Sequence, residues 1–337
     1  MKAGADALPR ERAMKMRSAT VRALLPLCAT LLFIGIAQAG AISFVASKGK
    51  DSNPCSRAKP CRTLQEGVDK ASDGGDVVVV DSGFYGNNLS ITKSITISAT
   101  GITAALRSIE IDNAGATVIL RGLLLTGKGA NAQGITITSA ASVHIEDCVI
   151  EGFPGSGIRA FQVKLFVAGT ASRRNGGYGI DMDGGFGSTS ASLVVDSSRF
   201  ENNESSGIHA RFVPASVTRT ILSGNTANGM EVNKSDANVA WSTAAHNGGT
   251  GFSMLGEQPG SPAELTLERS VSRGNGFSGL ALFNDVNDAT ARISNSVFTE
   301  NATGIDNGGV VLTRGNNTIA GNDDNLDGND LNPLTAQ

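Results

Sequence analysis

Hydrophobic and polar residues alternate along most of this chain in short phrases that each begin with a glycine. The glycine is followed by an apolar, a variable and, in seven of eight cases, another apolar residue. The eight glycines are separated by 23, 22, 28, 22, 22, 28 and 25 residues and are Gly134, Gly157, Gly179, Gly207, Gly229, Gly251, Gly279 and Gly304. The period of two within each phrase predicts short β-strands rather than helices.

Self-similarity at this interval is typical of a solenoid, in which a single coil cannot bury its apolar face alone. A coil of 22 residues accommodates three short strands and three turns, and stacked coils pair each strand with its equivalent one turn on. The sheets are therefore expected to be parallel. The sequence predicts an all-β protein built as a parallel β-helix.

Asparagine residues recur at nearly the same spacing as the glycines. An asparagine lies four residues before five of them and three residues before the last, at Asn175, Asn203, Asn225, Asn247, Asn275 and Asn301. A turn that stacks on its equivalent favours asparagine, because this residue tolerates the left-handed conformation and its amide can bond the next asparagine. We therefore expect a structural asparagine ladder.

The repeats and the opening of the chain resemble the right-handed parallel β-helix proteins of the pectate-lyase-like superfamily. The opening combines a strand at 43–46, a loop with two cysteines, a short amphipathic helix and the apolar run 77–80. The resemblance covers nearly all of the mature chain and implies a right-handed, three-sheet solenoid with a short N-terminal capping helix. It says little about activity, because this fold hosts lyases, hydrolases, epimerases and non-catalytic binding proteins.

The N-terminus predicts export. Lys15, Arg17 and Arg22 precede an apolar run at 23–36, which is too short to span a membrane, and residues 37–39 form an A-x-A cleavage motif. The expected organisation is a signal peptide at 1–39, an N-terminal cap at 40–75, the β-helix at 76–320 and a polar tail at 321–337. The mature chain is expected to be secreted or periplasmic, with no membrane span once the signal is removed.

Within the cap, two features predict local structure. Thr63 and Glu66 form a capping-box pattern at the start of a helix over 63–72. Cys55 and Cys61 lie in a loop dense in turn-forming residues, and in an exported chain this pattern favours a disulfide over a metal site, which would need two further ligands nearby. Cys148 lies in a strand and is expected to be a buried, inert thiol.

The net charge expected for the mature chain argues against several classes of binding partner. Removal of residues 1–39 takes away six basic and two acidic residues, which leaves 22 basic and 29 acidic residues and a net charge of −7. Such a balance argues against nucleic acid and anionic membranes as partners. It also disfavours a highly anionic polysaccharide, unless cations are concentrated locally or Ca²⁺ bridges the two. Nothing in the sequence indicates an oligomeric state.

One dense cluster of ionisable residues emerges from the repeats. The second residue after each glycine faces outward, which places four side chains of successive coils side by side with two more flanking them: Arg159, Asp181, His209, Glu231, Asp183 and Arg211. A functional interpretation is a polysaccharide groove with arginines for a uronate, carboxylates as Ca²⁺ ligands or acids, and the histidine as base. The alternative is a solvated ladder of charges, each pair contributing about 0–1 kcal/mol.

The regular coils of this chain lack the catalytic motifs that hydrolases and epimerases of the resembled fold carry. The hydrolases of this fold carry paired aspartates, and here the single Asp-Asp, at 323–324, follows the last clear coil; the Asp-Pro-His-Asp of the epimerases is absent. The favoured interpretation is therefore a secreted protein that presents a rigid surface, for non-catalytic carbohydrate binding or a structural role. The alternative is a polysaccharide lyase or epimerase acting on a uronic-acid polymer, with Ca²⁺ as the one cofactor considered and only in that case.

Overall fold

The structure is a computed structural model that describes residues 42–128, 132–187, 190–256, 263–284 and 289–334. The signal peptide predicted at 1–39 lies outside these residues. No helix in the described part of the chain is long and apolar enough to cross a membrane.

The helix of the N-terminal cap is Leu64–Lys70. Its N-cap is Thr63, whose side-chain oxygen accepts a hydrogen bond from the backbone N–H of Glu66 at 3.3 Å. The predicted capping box forms only in this half. The backbone N–H of Thr63 donates instead to Asp51 Oδ1 at 2.9 Å, and the Glu66 carboxylate pairs with Lys70 at 2.8 Å. The predicted disulfide between the two cysteines of the preceding loop, Cys55 and Cys61, is confirmed.

The strands form three parallel ladders, named sheets 1, 2 and 3 in the order in which a coil meets them. Sheet 1 contains Asn88–Ile91, Ser108–Arg121, Ile135–Glu146, Ile158–Phe161, Ile180–Asp183, Ile208–Arg211, Met230–Asn233, Phe252–Gly256, Ser278–Asn284, Thr303–Asn307 and Asp324–Gly328. Sheet 2 contains Ser43–Val45, Gly75–Val79, Ile95–Ser98, the second halves of Ser108–Arg121 and Ile135–Glu146, Lys164–Ala168, Ser192–Asp196, Ala215–Thr218, Ala237–Ala240, Ala263–Glu268, Ala289–Ser294, Val310–Thr313 and Asn332–Pro333. Sheet 3 contains Gly83–Phe84, Ala104–Leu106, Leu123–Thr126, Val149–Glu151, Ala171–Arg173, Arg199–Glu201, Ile221–Ser223, Thr243–Ala245, Val271–Arg273, Val297–Thr299 and Thr318–Ile319. The predicted right-handed parallel β-helix is confirmed.

The glycine phrases open the strands of sheet 1. The apolar residue after each glycine is at most 1% exposed and belongs to the core, as in Ile135, Ile158, Ile180, Ile208, Met230, Phe252, Leu280 and Ile305. At Gly207 a Cβ atom would lie 2.7 Å from the carbonyl oxygen of Gly229 and 3.0 Å from the amide of Asn225. Close stacking of successive coils therefore leaves no room for a side chain at this position.

The six predicted asparagines form one buried column and are at most 2% exposed. Each side-chain amide donates to the Oδ1 of the next asparagine, as from Asn203 to Asn225 at 3.0 Å and from Asn225 to Asn247 at 3.0 Å. The column extends one step further than predicted, to Asn322, which accepts from Asn301 at 3.1 Å.

Tolerance of the left-handed conformation, which was expected to favour asparagine at this turn, does not explain its presence. The left-handed residue is the one before each ladder asparagine, as at Arg174, Asn202 and His246, whose φ angles are 53°, 55° and 54°. Asparagine is therefore required at its own position for its side-chain hydrogen bonds and not for its backbone freedom.

A second column, of hydroxyl groups, was not predicted. It follows the corner between sheets 2 and 3 with the same spacing as the asparagines and consists of Thr170, Ser198, Thr220, Ser242, Ser270 and Ser296. In most steps the hydroxyl oxygen accepts a backbone N–H from the preceding coil, as from Thr220 to Ser242 at 3.2 Å. Cys148 occupies the first place in this column, where burial raises the pKa of its thiol to about 12.

The β-helix does not end at residue 320. Strands Asp324–Gly328 and Asn332–Pro333 pair in parallel with the preceding strands of sheets 1 and 2. The segment predicted as a polar tail, 321–337, is therefore a further coil over its described part. Its polar composition concealed this, because most of these residues are exposed and the inward apolar pattern is reduced to isolated residues such as Leu326 and Leu331.

Candidate functional site

Four consecutive strands of sheet 1 position the predicted cluster. Arg159 pairs in register with Asp181, Asp181 with His209, and His209 with Glu231. The same strands bring Asp183 next to Arg211. Since alternate residues of a strand face the same side, all six side chains lie on the outer face of sheet 1.

His209 lies at the centre of a hydrogen-bonded chain. Its Nδ1 is 3.0 Å from Asp181 Oδ1, and its Nε2 is 3.3 Å from the Nδ2 atom of Asn233. The ring also stacks on Tyr178, with centroids 4.9 Å apart, and its side chain is only 16% exposed. Burial favours the neutral ring, but the hydrogen bond to Asp181 and the charge of Glu231 outweigh burial and raise the pKa of His209.

Glu231 is held at the far end of this chain. Asn233 donates to its Oε1 at 3.0 Å, and the hydroxyl of Ser206 donates to its Oε2 at 3.3 Å. Sequence reasoning overlooked Asn233 as a partner, although it lies two residues after Glu231 on the same outward face. Tyr178 and Ser206 directly precede the repeat glycines Gly179 and Gly207, so their periodic position was visible in the sequence although their role as partners was not.

The two arginines of the cluster form long ion pairs with their carboxylate partners. Arg159 Nε is 3.9 Å from Asp181 Oδ2, and Arg211 is 3.7 Å from Asp183 Oδ2; their side chains are 61% and 47% exposed. These are the two longest ion pairs between described residues. By contrast, Arg173 on sheet 3 approaches its carboxylate partner to 2.9 Å.

Five of the six cluster residues line a surface depression of about 490 Å³; Glu231 does not. Its lining residues are Thr136, Ile137, Thr138, Arg159, Ala160, Phe161, Asp181, Asp183, His209 and Arg211. A depression of about 460 Å³ shares Thr136 with it, and one of about 450 Å³ shares Phe161. The three depressions therefore adjoin one another, and we call them together the sheet 1 groove.

The outward column does not continue as predicted beyond Glu231. Ser253 and Ala281 occupy equivalent positions in the next two coils, but they are only 4% and 0% exposed. Alternation along a strand identifies the side that a residue faces and not whether that side is covered. The column is therefore covered in these two coils and becomes accessible again at Asp306.

The other two histidines lie outside the groove. His144 faces outward from sheet 2 and stacks on Phe166 with centroids 4.5 Å apart, and His246 occupies a left-handed corner. Among the residues that the structure describes, no three His, Cys, Asp or Glu side chains are grouped so as to hold a metal ion.

Comparisons with known proteins agree on the fold. Among solved structures, a pectate lyase, Pel9A, is 15% identical with a TM-score of 0.59 over 86% of this chain and 78% of its own. The A-module of the Azotobacter vinelandii mannuronan C-5 epimerase AlgE4 is 12% identical with a TM-score of 0.53 over 88% and 90%. At such identities the likeness shows the fold alone. Comparison with curated protein sequences gives no match.

A family model described as a right-handed β-helix region matches residues 81–242 and 133–292. The two overlapping matches cover residues 81–292, which is 212 of the 337 residues. This chain belongs to the right-handed β-helix family.

Proposed function

We propose that this protein binds an acidic polysaccharide in the sheet 1 groove without catalysing a reaction. The observation that carries the proposal is the pair of exposed arginines, Arg159 and Arg211, whose own carboxylate partners lie 3.9 and 3.7 Å away. A uronate carboxylate can offer either guanidinium a shorter, bidentate pair of hydrogen bonds. Binding would therefore replace a weak internal ion pair with a stronger external one.

The remaining lining of the groove suits a sugar polymer. Phe161 is 46% exposed and supplies an apolar surface, while Thr136 and Thr138 supply hydroxyl groups. From Glu110 to His209 the groove crosses five coils, which corresponds to about 19 Å at the spacing of paired strands. A groove of this length accommodates several sugar units, which favours a polymer over a single sugar.

The local balance of charge also differs from that of the whole chain. In the central depression Arg159 and Arg211 offset Asp181 and Asp183, and protonation of His209 adds a positive charge. The mature chain as a whole carries −7. The central depression is therefore close to neutral while the chain as a whole is acidic, which lowers the repulsion that an acidic polymer meets there.

The surroundings of His209 support binding over proton abstraction. A general base needs a ring nitrogen within reach of the substrate proton. Here Nδ1 bonds Asp181, Nε2 lies next to Asn233, and Tyr178 stacks on the ring. His209 is then a positioning residue that fixes the carboxylate of Asp181.

Catalysis is the second candidate, favoured by one observation. A histidine of raised pKa lies hydrogen-bonded to a carboxylate inside a groove, which is an arrangement common in acid–base sites. The similar structures named above include a pectate lyase and a mannuronan epimerase. In that case Asp181 and Asp183 would be the carboxylates available to Ca²⁺, and His209 would be the base.

The compartment is part of the proposal. The disulfide Cys55–Cys61 is typical of proteins in oxidising compartments, which supports a periplasmic or extracellular location. We infer that residues 1–39 are removed as a signal peptide on the way there.

Affinity electrophoresis of the mature chain in gels containing polygalacturonate or polymannuronate tests the proposal. We expect retardation by at least one polymer, and a loss of affinity on the order of tenfold in the variant Arg159→Gln/Arg211→Gln. Arg273→Gln is the matched control, because Arg273 is exposed on sheet 3. Equal retardation of the double variant and the wild type would contradict the proposal.

The same polymers separate binding from catalysis. A lyase would generate unsaturated ends that absorb in the ultraviolet, and an epimerase would change the uronate composition without cutting the chain. We expect neither. Turnover that His209→Ala abolishes, in a variant that still folds, would establish the catalytic candidate instead.

A further inference from the structure

The single tryptophan of the chain stands out at a corner of the β-helix. Trp241 lies between sheets 2 and 3, has a φ angle of 54° and is 57% exposed. Equivalent corners of the other coils hold glycine or polar residues that also have positive φ angles, namely Asp147, Gly169, Ser197, Arg219, Arg269 and Asn295. A bulky aromatic residue is unusual at a positive φ angle and adds little to the core here, which makes Trp241 a candidate for a role on the surface.

The neighbours of Trp241 make an ordered platform. The guanidinium of Arg269, one coil on, lies 4.7 Å from the centre of the indole ring. Arg219, one coil back, is held toward the preceding coil, because its Nε donates to Ser197 at 3.2 Å and its guanidinium pairs with Asp196. Arg269 therefore supports the indole, while Arg219 is directed away from it.

The platform carries no net charge. Arg269 is 3.6 Å from the carboxylate of Glu268, and Asp196 balances Arg219. Hydrogen bonds from Ser294 and Asn295 fix the Glu268 carboxylate beside Arg269, and this fixed negative charge repels an acidic polymer. The carboxylates and guanidinium groups around the ring nevertheless supply acceptors and donors for hydroxyl groups.

We propose that Trp241 is the stacking platform of a second carbohydrate site, which binds a neutral pyranose chain. The C–H face of a sugar ring packs on the indole, whose apolar body is the largest exposed aromatic surface available at any corner of this type. Hydroxyl groups at the sugar's edge bond Arg269 and Glu268. This site is distinct from the sheet 1 groove, since it lies at the corner between the other two sheets.

The tryptophan itself provides the first test. Since the chain contains one tryptophan, its fluorescence reports on Trp241 alone. Titration of the mature chain with cellohexaose, mannohexaose and xylohexaose should give a saturable change with at least one of them, and hexagalacturonate should give none. A saturable response to hexagalacturonate alone, or no response to any of the four, would overturn the proposal.

Variants then locate the site by calorimetry with the responding hexasaccharide. Trp241→Ala should weaken binding at least tenfold, whereas Phe277→Ala, which removes another exposed aromatic at 67% exposure, should not change it. Arg159→Gln/Arg211→Gln should bind the neutral hexasaccharide like the wild type, and Trp241→Ala should be retarded normally by the acidic polymers. Undiminished binding by a folded Trp241→Ala chain would refute the site while leaving the groove proposal untouched.

Discussion

Replacement of Asn225 by alanine tests how much of the stability resides in the asparagine column. Asn225 Oδ1 accepts hydrogen bonds from the backbone N–H of Asn203 at 3.1 Å and from its side-chain amide at 3.0 Å. Its own amide donates to the carbonyl of Phe200 at 3.1 Å and to Asn247 Oδ1 at 3.0 Å. Alanine therefore removes four hydrogen bonds from a site that is 1% exposed.

The loss in the free energy of unfolding depends on which neighbouring groups are left without a hydrogen-bond partner. The side-chain amide of Asn203 still donates to the carbonyl of Ser172 at 3.2 Å, and Asn247 Oδ1 still accepts the backbone N–H of residue 225 at 3.1 Å. The backbone N–H of Asn203 loses the partner described above and is buried, which costs about 1–3 kcal/mol. With the weaker loss at Phe200, we expect the free energy of unfolding to fall by about 2–4 kcal/mol.

Equilibrium unfolding in urea, followed by circular dichroism and by the fluorescence of the single tryptophan, measures this loss. The matched control is Asn322→Ala, the same substitution at the half-exposed end of the same column, where water can replace the lost partners. Its cost should be about 1 kcal/mol or less. An unchanged midpoint for Asn225→Ala, or equal losses for the two variants, would refute the reasoning.

Three further predictions use the same measurements. Ser242→Ala removes the hydroxyl that accepts the backbone N–H of Thr220, and should lower the free energy of unfolding measured in urea by about 1–3 kcal/mol. An unchanged unfolding midpoint would mean that the hydroxyl column does not contribute to stability. Replacing Cys55 and Cys61 by serine should cost about 2 kcal/mol for so short a loop, and peptide mapping of the wild type without reductant should find them linked. The raised pKa of His209 contributes stability that is complete below the unfolded pKa of about 6.5 and is lost as the pH rises through the folded pKa. Asp181→Asn should therefore destabilise the chain more at about pH 5.5 than at about pH 8.5, and a pH-independent loss would contradict this.

The fold could be predicted because each of its two main constraints, close packing of the coils and hydrogen bonding between them, requires one residue type. Gly207 has no room for a Cβ atom, and Asn225 must satisfy groups in two coils, so both recur in every coil of similar build. The hydroxyl column carried the same information, with spacings identical to those of the asparagines, and could have been found. Serine and threonine are too common in this chain for the pattern to be noticed without the asparagines as a guide.

The candidate site could be predicted only in part. Alternation along the strands placed Arg159 beside Asp181 and His209 beside Glu231, as the structure has them. Whether a column is open depends on what covers it, and this is why Ser253 was expected to face solvent but is buried. Tyr178 has a fixed register because it directly precedes Gly179, but the sequence does not show that its ring stacks on His209 of the next coil.

The register of sheet 1 does not depend on the number of residues in each coil. Asp181 and His209 are separated by 28 residues, His209 and Glu231 by 22, yet both pairs are direct neighbours in sheet 1. Additional residues are therefore absorbed by the turns, and the spacing between outward side chains stays near 4.8 Å. In such a scaffold any outward residue can be exchanged without a change of fold, so membership of the family leaves the ligand open. Ligand sites must instead be sought where outward side chains are incompletely paired or covered within the protein. Examples are the long ion pairs of Arg159 and Arg211 and the exposed side chain of Trp241.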